Sequence, residues 1–342
     1  MSIAPRQKVG LTNSDNWVLS LSNLSTEPVP LSNADHQSVQ SIAQSVELQG
    51  SVLAYVNAAL ADNTRRAYQQ DLADFNKWGG IVPCTPETLA TYIAGRATTL
   101  SPHTITRRVV GISRAHTSKG LSDPAKNDLV RAVLRGVRRN HGKPQRQVAP
   151  LLRQDLLTLL AHMEGTKGIR DRAIVLLGFA AALRRSELVA LDVCDLEFVN
   201  EGIVVHLRRS KVDKVGEGRK IAVPYGRTNA CPVKAVQVWL GHARIVEDAI
   251  FRSIRKGGQV GHGRMTGQSV ALILKKYVKM AGMPTSKFSG HSLRAGLVTS
   301  AAQFGVAVHK IQAQTGHHSL EMLSKYVRDA NLFENNAAGQ IL

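Results

Sequence analysis

"GHHSLEMLSKYV", residues 316–327, decides how this chain is read. His317 and His318 follow Gly316, and Tyr326 stands nine residues after His317. Upstream, "GHSLRAG" (290–296) carries His291 and Arg294. Their three-residue spacing sets them on one helical face near a helix start, where backbone N–H groups favour an anion. Each residue alone has an ordinary reading. Tyr326 shares a helical spacing with Met322 and Leu323, as a core tyrosine would. His317 reads as a residue at a turn-to-helix junction, and the His291–Arg294 pair as a cap and a surface arginine.

Two more stretches bear on the question. "ALRRSELVAL" (182–191) puts Arg184 between the end of an apolar helix and a new helical pattern. An arginine at such a junction needs an anion or a carboxylate, and Glu187 stands three residues on. "RRSK" (208–211) ends a strand-like run with Lys211, a position where a lysine is ordinarily solvated. Together these types form a set. Two arginines can hold the non-bridging oxygens of one phosphodiester. A histidine can move a proton, and a lysine can protonate a departing alkoxide. A tyrosine can attack phosphorus and hold it covalently. No aspartate cluster suggests magnesium, so the set works by side chains alone.

Composition supports a polyanionic partner. The 342 residues carry a formal net charge of +19, with 43% hydrophobic and 20% charged residues. That describes a globular chain long enough for two domains, with an excess that favours nucleic acid. An anionic membrane would call for a basic amphipathic helix or a lipidation motif, and neither is evident. Cys84, Cys194 and Cys231 are widely spaced, which argues against zinc and disulfide frameworks and suits a reducing cytosol. No apolar run approaches spanning length, and the N-terminus lacks an apolar signal core.

Along the chain, residues 1–45 are rich in Ser, Asn, Gln and Pro and read as a flexible arm. Residues 46–141 read as helices. Val52, Tyr55, Val56, Ala59 and Leu60 share a face, and Tyr68, Leu72 and Phe75 recur in "DNTRRAYQQDLADFNKW", with Asp62, Asn63 or Thr64 as its cap. Three more helical stretches follow, one opening on Thr85-Pro86, one closed by Gly120 and one from Pro124 to Gly142. Arginines and lysines from Arg96 to Arg146 are matched only by Asp123 and Asp128 within that span. One-signed helices suggest a surface laid on phosphates. Arg65, Arg66, Arg107, Arg108, Arg131, Arg135, Arg138 and Arg139 are the candidate DNA contacts. "GKPQRQVAP" (142–150) reads as a linker and 151–342 as a second domain. In it, helices are expected near 153–163, 170–183 and 186–190, then a hairpin around "VDKVGEG", then helices from about 232, 266, 292, 306 and 319.

As a set, Leu183-Arg184-x-x-Glu187-Leu188, Lys211, His291-x-x-Arg294, Gly316-His317 and Tyr326 resemble the signature of the tyrosine recombinase (phage integrase) family, Xer- and Cre-like. "NTRRAYQQDLADFNKW" resembles that family's first DNA-clamp helices, so the resemblance spans about residues 46–330. It implies a mainly α fold: a two-domain clamp with a helical SAM-like core-binding domain and a helical catalytic domain bearing a small antiparallel β-sheet. It implies cutting and rejoining of double-stranded DNA at sites with inverted repeats, through a 3′-phosphotyrosyl bond on Tyr326, without metal or nucleotide cofactor. It implies that Arg184 and Arg294 stabilise the transition state, His291 takes the tyrosine proton, Lys211 donates to the departing 5′-oxygen, His317 bonds a phosphate oxygen, and Glu187 orients the site. It further implies a homotetramer on DNA and a cytoplasmic, nucleoid-associated location. The apolar residues Leu332, Phe333, Ala337, Ile341 and Leu342 would dock on a neighbouring subunit or pack in cis. Ala182 departs from the glycine that often precedes Leu-Arg, and Lys214 and Lys220 compete with Lys211. A type IB topoisomerase shares the chemistry, but the helical clamp and His-x-x-Arg speak against it. The intact set speaks against a binding-only regulator.

Overall fold

The computed structural model describes residues 61–143, 148–208, 218–317, 319, 321, 323 and 324. The arm at 1–45, the helical stretch at 52–60, Lys211, Tyr326 and the apolar tail lie outside the described residues. The chain divides between Gln145 and Arg146 into two compact units. The described residues are mostly helical, with two small antiparallel sheets.

The first unit holds α1 (Asp62–Trp78), α2 (Pro86–Arg96), α3 (Pro102–Thr117) and α4 (Asp128–His141). Thr85 and Ser101 cap α2 and α3 by accepting the backbone N–H three residues on, and a proline opens each helix. The expected cap of α1 is different: Ala61 holds that place, and Asp62 is already helical. The last helix is shorter than its apolar pattern suggested, because Asn127 caps α4 after a 3₁₀ turn at Pro124–Lys126. α1 packs on α3 and α2 on α4. Phe75, Tyr92, Ile93, Ile105, Val109 and Ile112 fill the middle, with the Phe75 and Tyr92 rings edge to face at 5.1 Å. Buried His116 is fully satisfied. Cys84 N–H donates to its Nε2 (2.9 Å), so its Nδ1–H donates to the carbonyl of Ile112 (2.8 Å).

Two carboxylates of α1 change the charge reading of this unit. Asp71, 1% exposed, accepts from Arg107 Nη1 at 2.7 Å. Asp74 accepts from Arg108 Nη1, from Arg96 Nη2 (2.9 Å) and from the Tyr92 hydroxyl (2.9 Å). The carboxyl of Asp71 is raised by burial, against the pull of Arg107 and Arg108. Arg107 and Arg108 are therefore answered by carboxylates from an earlier helix, which a charge count over 96–146 leaves out. Arg108 in particular turns inward, 14% exposed, instead of lying open to solvent. Arg66, Arg131, Arg135, Arg138 and Arg139 are exposed, and Arg65 is half-buried.

The second unit is built around α6. Its helices are α5 (Arg153–Leu160), α6 (Gly165–Ala180), α7 (Arg185–Ala190), α8 (Pro232–Ala243), α9 (Gly267–Met280), α10 (Ser292–Gln303) and α11 (Val308–Thr315). Ala173, Ile174, Val175, Leu176 and Leu177 are buried in succession, so α6 is covered on every side. It packs against α8 and α10. Strands β1 (Leu196–Val199), β2 (Gly202–Leu207) and β3 (Arg219–Pro224) form an antiparallel sheet in that order, with Leu207 opposite Arg219. A second hairpin, β4 (Arg252–Ile254) with β5 (Val260–Arg264), was not expected from the sequence. Its strands are short and rich in charge and glycine, so they carry little alternation. Asp171, Arg170 and Tyr277 link this hairpin to the core. Arg170 donates to Asp171 (2.7 Å) and to the carbonyl of Arg252 (3.1 Å), and the Tyr277 hydroxyl donates to Asp171 (3.0 Å). No described helix is long and apolar enough to cross a membrane.

Candidate active site

Three elements of the second unit bring Arg184, Arg294 and His317 together, and a fourth meets them through Arg219. The first is the turn after α6. Ala182 takes the left-handed conformation (φ 50°), and Leu183 N–H reaches back to the carbonyl of Gly178 (3.2 Å), closing the helix end. This presents Arg184 at the start of α7, where Glu187 holds it twice. Glu187 Oε2 accepts from the Arg184 backbone N–H (2.8 Å) and Oε1 from its Nη1 (2.6 Å). The Glu187 side chain is 3% exposed and that of Arg184 18%.

The second element is α10. His291 sits at its N-terminus and is exposed, while Arg294, one turn on, is buried. Arg294 Nη1 donates to the carbonyl of Ala182 at 2.7 Å. The residue that departs from the usual glycine thus touches the site: its left-handed turn aims the carbonyl that positions Arg294. Gly296 lets α10 approach closely, since a Cβ there would lie 2.0 Å from the carbonyl oxygen of Leu151.

The third element is the end of α11. Gly316 caps it in the left-handed conformation (φ 64°) and delivers His317. A carbonyl only accepts, so the Thr315 hydroxyl donates to Ile311 O (2.8 Å), and its oxygen accepts from His317 Nδ1–H (2.7 Å). Nε2 is left as the acceptor atom of the neutral ring. Burial pushes the imidazole down to about 4, helped by the positive charges of Arg294, Arg184 and Arg219. His317 is therefore neutral at pH 7.

The fourth element is the β2–β3 hairpin. Its tip, with Lys211 and Lys214, lies outside the described residues. Lys220 is exposed on the sheet face opposite Arg219. The hairpin's base is pinned: Arg208 donates to Asp195 (2.6 Å) and Asp192 (2.8 Å), and Arg264 also reaches Asp192. Tyr326 is likewise outside the described residues. Leu323, three residues earlier, is buried against Val298, Ala302 and Ile311.

Three residues that sequence reasoning missed complete this arrangement. Arg219 donates to the carbonyls of Gln314 (3.0 Å) and Ala313 (3.4 Å). Gln314 Nε2 donates to Ala180 O (2.9 Å) and Ala222 O (3.2 Å), bridging the end of α6 to β3. Thr315 holds the His317 ring. Arg219 had a signal. In "RKIAVP" it shares the buried face with Ile221 and Val223, and an arginine in that register needs an anionic or carbonyl partner. The other two had none, since a glutamine and a threonine near a helix end are ordinary.

Among the described residues, no group of three or more His, Cys, Asp or Glu side chains is placed to hold a metal ion.

Comparison with known proteins bears on this site. The phage integrase family matches residues 150–332. The chain is 40% identical over 292 residues to the integrase/recombinase xerD homolog of Selenomonas ruminantium, covering 82% of this chain and 86% of that protein. It is 26% identical over 286 residues to tyrosine recombinase XerD of Xanthomonas axonopodis pv. citri (strain 306), covering 80% and 88%. The fold is similar to that of the XerH site-specific recombinase bound to palindromic difH substrate in a post-cleavage complex. The TM-score is 0.57 at 16% identity, over 81% of this chain and 78% of that one. It is also similar to a lambda integrase dimer bound to a COC' core site, with TM-score 0.58 at 15% identity over 81% and 75%.

Proposed function

Since this chain belongs to the phage integrase family, the site-specific tyrosine recombinases, we propose that it cuts and rejoins double-stranded DNA through Tyr326. The observation that carries the reading is the convergence of Arg184, Arg294 and Arg219 on His317, with one carboxylate among the described residues, Glu187, to offset them. Three guanidinium groups against one carboxylate leave a positive site suited to a phosphodiester.

The steps follow from the residue types. The Tyr326 oxygen attacks the scissile phosphorus and passes its proton to His291, which stands exposed at the start of α10. Arg184 and Arg294 hold the non-bridging oxygens as negative charge builds in the pentacovalent transition state. The bond to the 5′-oxygen breaks, and Lys211 gives that oxygen a proton. The product is a 3′-phosphotyrosyl bond and a free 5′-hydroxyl. Attack by a second 5′-hydroxyl reverses the sequence, releases Tyr326 and restores the phosphodiester. The bond energy is conserved throughout, so no nucleotide is consumed. Glu187 is the positioning residue for Arg184.

The first unit acts as the core-binding domain. The exposed arginines of α4 (Arg131, Arg135, Arg138 and Arg139), with Arg65 and Arg66, supply phosphate contacts. Arg107 and Arg108 have carboxylate partners of their own and serve the unit's fold first. The protein exchanges strands as a homotetramer at a site with inverted repeats, joined through the apolar tail from Leu332 to Leu342. An apolar pocket of the second unit, lined by Leu157, Phe179, Pro224, Tyr225, Val306 and Ile311, supports that assembly.

The test is covalent trapping on a nicked duplex whose cleaved end diffuses away. Tyr326→Phe removes one oxygen, so DNA binding persists and the denaturation-resistant adduct disappears. An adduct formed by the Phe variant would assign the nucleophile elsewhere.

A further inference from the structure

We propose that Arg219, the first residue of β3, is a positioning residue for strand transfer that acts through His317. This rests on the reading of His317 as part of the site.

The side chain joins two parts of the site that are far apart in sequence. Its backbone pairs with Leu207 at the last described rung before the hairpin that carries Lys211. Its guanidinium crosses to α11 and donates to the carbonyls of Ala313 and Gln314, in the last turn before Gly316. Those are carbonyls that a helix end leaves without a backbone partner. The guanidinium also lies directly over the turn. A Cβ at residue 316 would meet Arg219 Nη1 at 2.6 Å and Cζ at 2.8 Å. Gly316 is thus required twice, for its left-handed backbone and for the space that Arg219 occupies. Arg219 therefore couples the base of the β2–β3 hairpin to the His317 turn.

It also acts by charge. Among the described residues, the charged groups that act on His317 are Arg294 of α10, Arg184 at the start of α7 and Arg219 of β3, with Glu187 facing Arg184 and Arg219. Burial pushes the Arg219 guanidinium down, while Glu187 pulls it up, and it stays a cation. With Nδ1–H given to Thr315, Nε2 can donate to a phosphate oxygen only after taking a proton. Burial opposes that proton first, and the surrounding cations add to it until an anion offsets them. Arg219 thus tunes when His317 becomes a donor: the ring is neutral while the site is empty and is able to take a proton once a phosphodiester lies among the three guanidinium groups.

The experiment separates charge from anchoring in the full chain. R219Q keeps a donor to the carbonyls and loses the charge. R219K keeps the charge and one donor. Three quantities are read for each: single-turnover cleavage of the nicked duplex across pH 5 to 8, the unfolding midpoint, and the His317 ring titration by NMR in the free protein. Removing a cation must raise the His317 titration. In R219Q it rises above about 4, with burial, Arg294 and Arg184 still holding it down, and the pH profile of cleavage moves the same way. The cleavage rate in R219Q falls about tenfold to a hundredfold, the range for a residue that orients a reacting group. R219K restores most of that rate and keeps the low titration. Equal losses in the two variants that track the unfolding midpoint, with the His317 titration unmoved, would reduce Arg219 to an anchor and overturn the proposal. So would an unaltered rate in R219Q. H317A is the control for the underlying reading: cleavage at the unaltered rate in that variant would remove His317 from the site, whatever Arg219 does.

Discussion

Glu187→Gln is the most informative single change in the second unit. The substitution keeps the side chain's shape and one carbonyl oxygen. In the native site both carboxylate oxygens accept, one from the Arg184 backbone N–H at 2.8 Å and one from its Nη1 at 2.6 Å. A glutamine offers one acceptor and one NH₂, so one Arg184 donor must face another donor. The charge partner is lost as well. Breaking a buried ion pair by removing one member costs about 3–5 kcal/mol. Arg184 keeps 18% of its side-chain exposure, so water recovers part of that, and a loss of about 2–3 kcal/mol is expected. For a unit of this size that lowers the unfolding midpoint by roughly 5–10 °C. Thermal unfolding of the full chain by circular dichroism reads this directly, with calorimetry assigning the transition to the second unit. Cognate DNA should narrow the gap between variant and native protein, because a bound phosphate gives Arg184 the anion that the variant lacks. An unchanged midpoint would refute the reasoning, since it would mean that Arg184 does not depend on Glu187. A gap that DNA leaves as wide as before would mean that Arg184 does not meet the phosphate.

Arg135→Ala with Arg139→Ala should weaken DNA binding and reduce the slope of log affinity against log salt by about two, roughly one per phosphate contact. Arg108→Ala should instead lower the midpoint of the first unit by uncovering Asp74 and Asp71, with the salt slope kept. Fluorescence anisotropy over a salt series checks both, and equal slopes in all variants would place the α4 arginines away from DNA. Deleting residues from Asn331 onward should leave single-site binding and adduct formation and abolish exchange between two sites, read by a gel-shift ladder and a two-site recombination assay. Normal exchange by the truncated chain would show that the tail packs in cis.

Much of the site was legible because chemistry of this kind needs particular side chains, and their order along the chain is itself a pattern. Arg184, Arg294 and His317, which the structure brings together, stood out only as members of a set, since each alone has an ordinary reading, and the helices followed from their apolar period and, in the first unit, from starts such as Thr85-Pro86. What the linear order does not carry is who answers whom across distance. Asp71 lies 36 residues from Arg107 and Asp74 lies 34 from Arg108, so a charge run in α3 looked open when part of it was already satisfied. Arg219 lies 95 residues from the carbonyl it meets, and the Ala182 carbonyl 112 residues from Arg294. The β4–β5 hairpin pairs through backbone groups that every residue possesses, so little in its side chains announced it. Local periodicity, caps and residue chemistry are properties of neighbours in the chain, and the sequence by itself determined them. The pairing of buried charges, the left-handed turns at Ala182 and Gly316 that aim Arg294 and His317, and the burial and neighbouring cations that keep His317 neutral arise only when distant segments exclude water together, and the tertiary structure alone decided them.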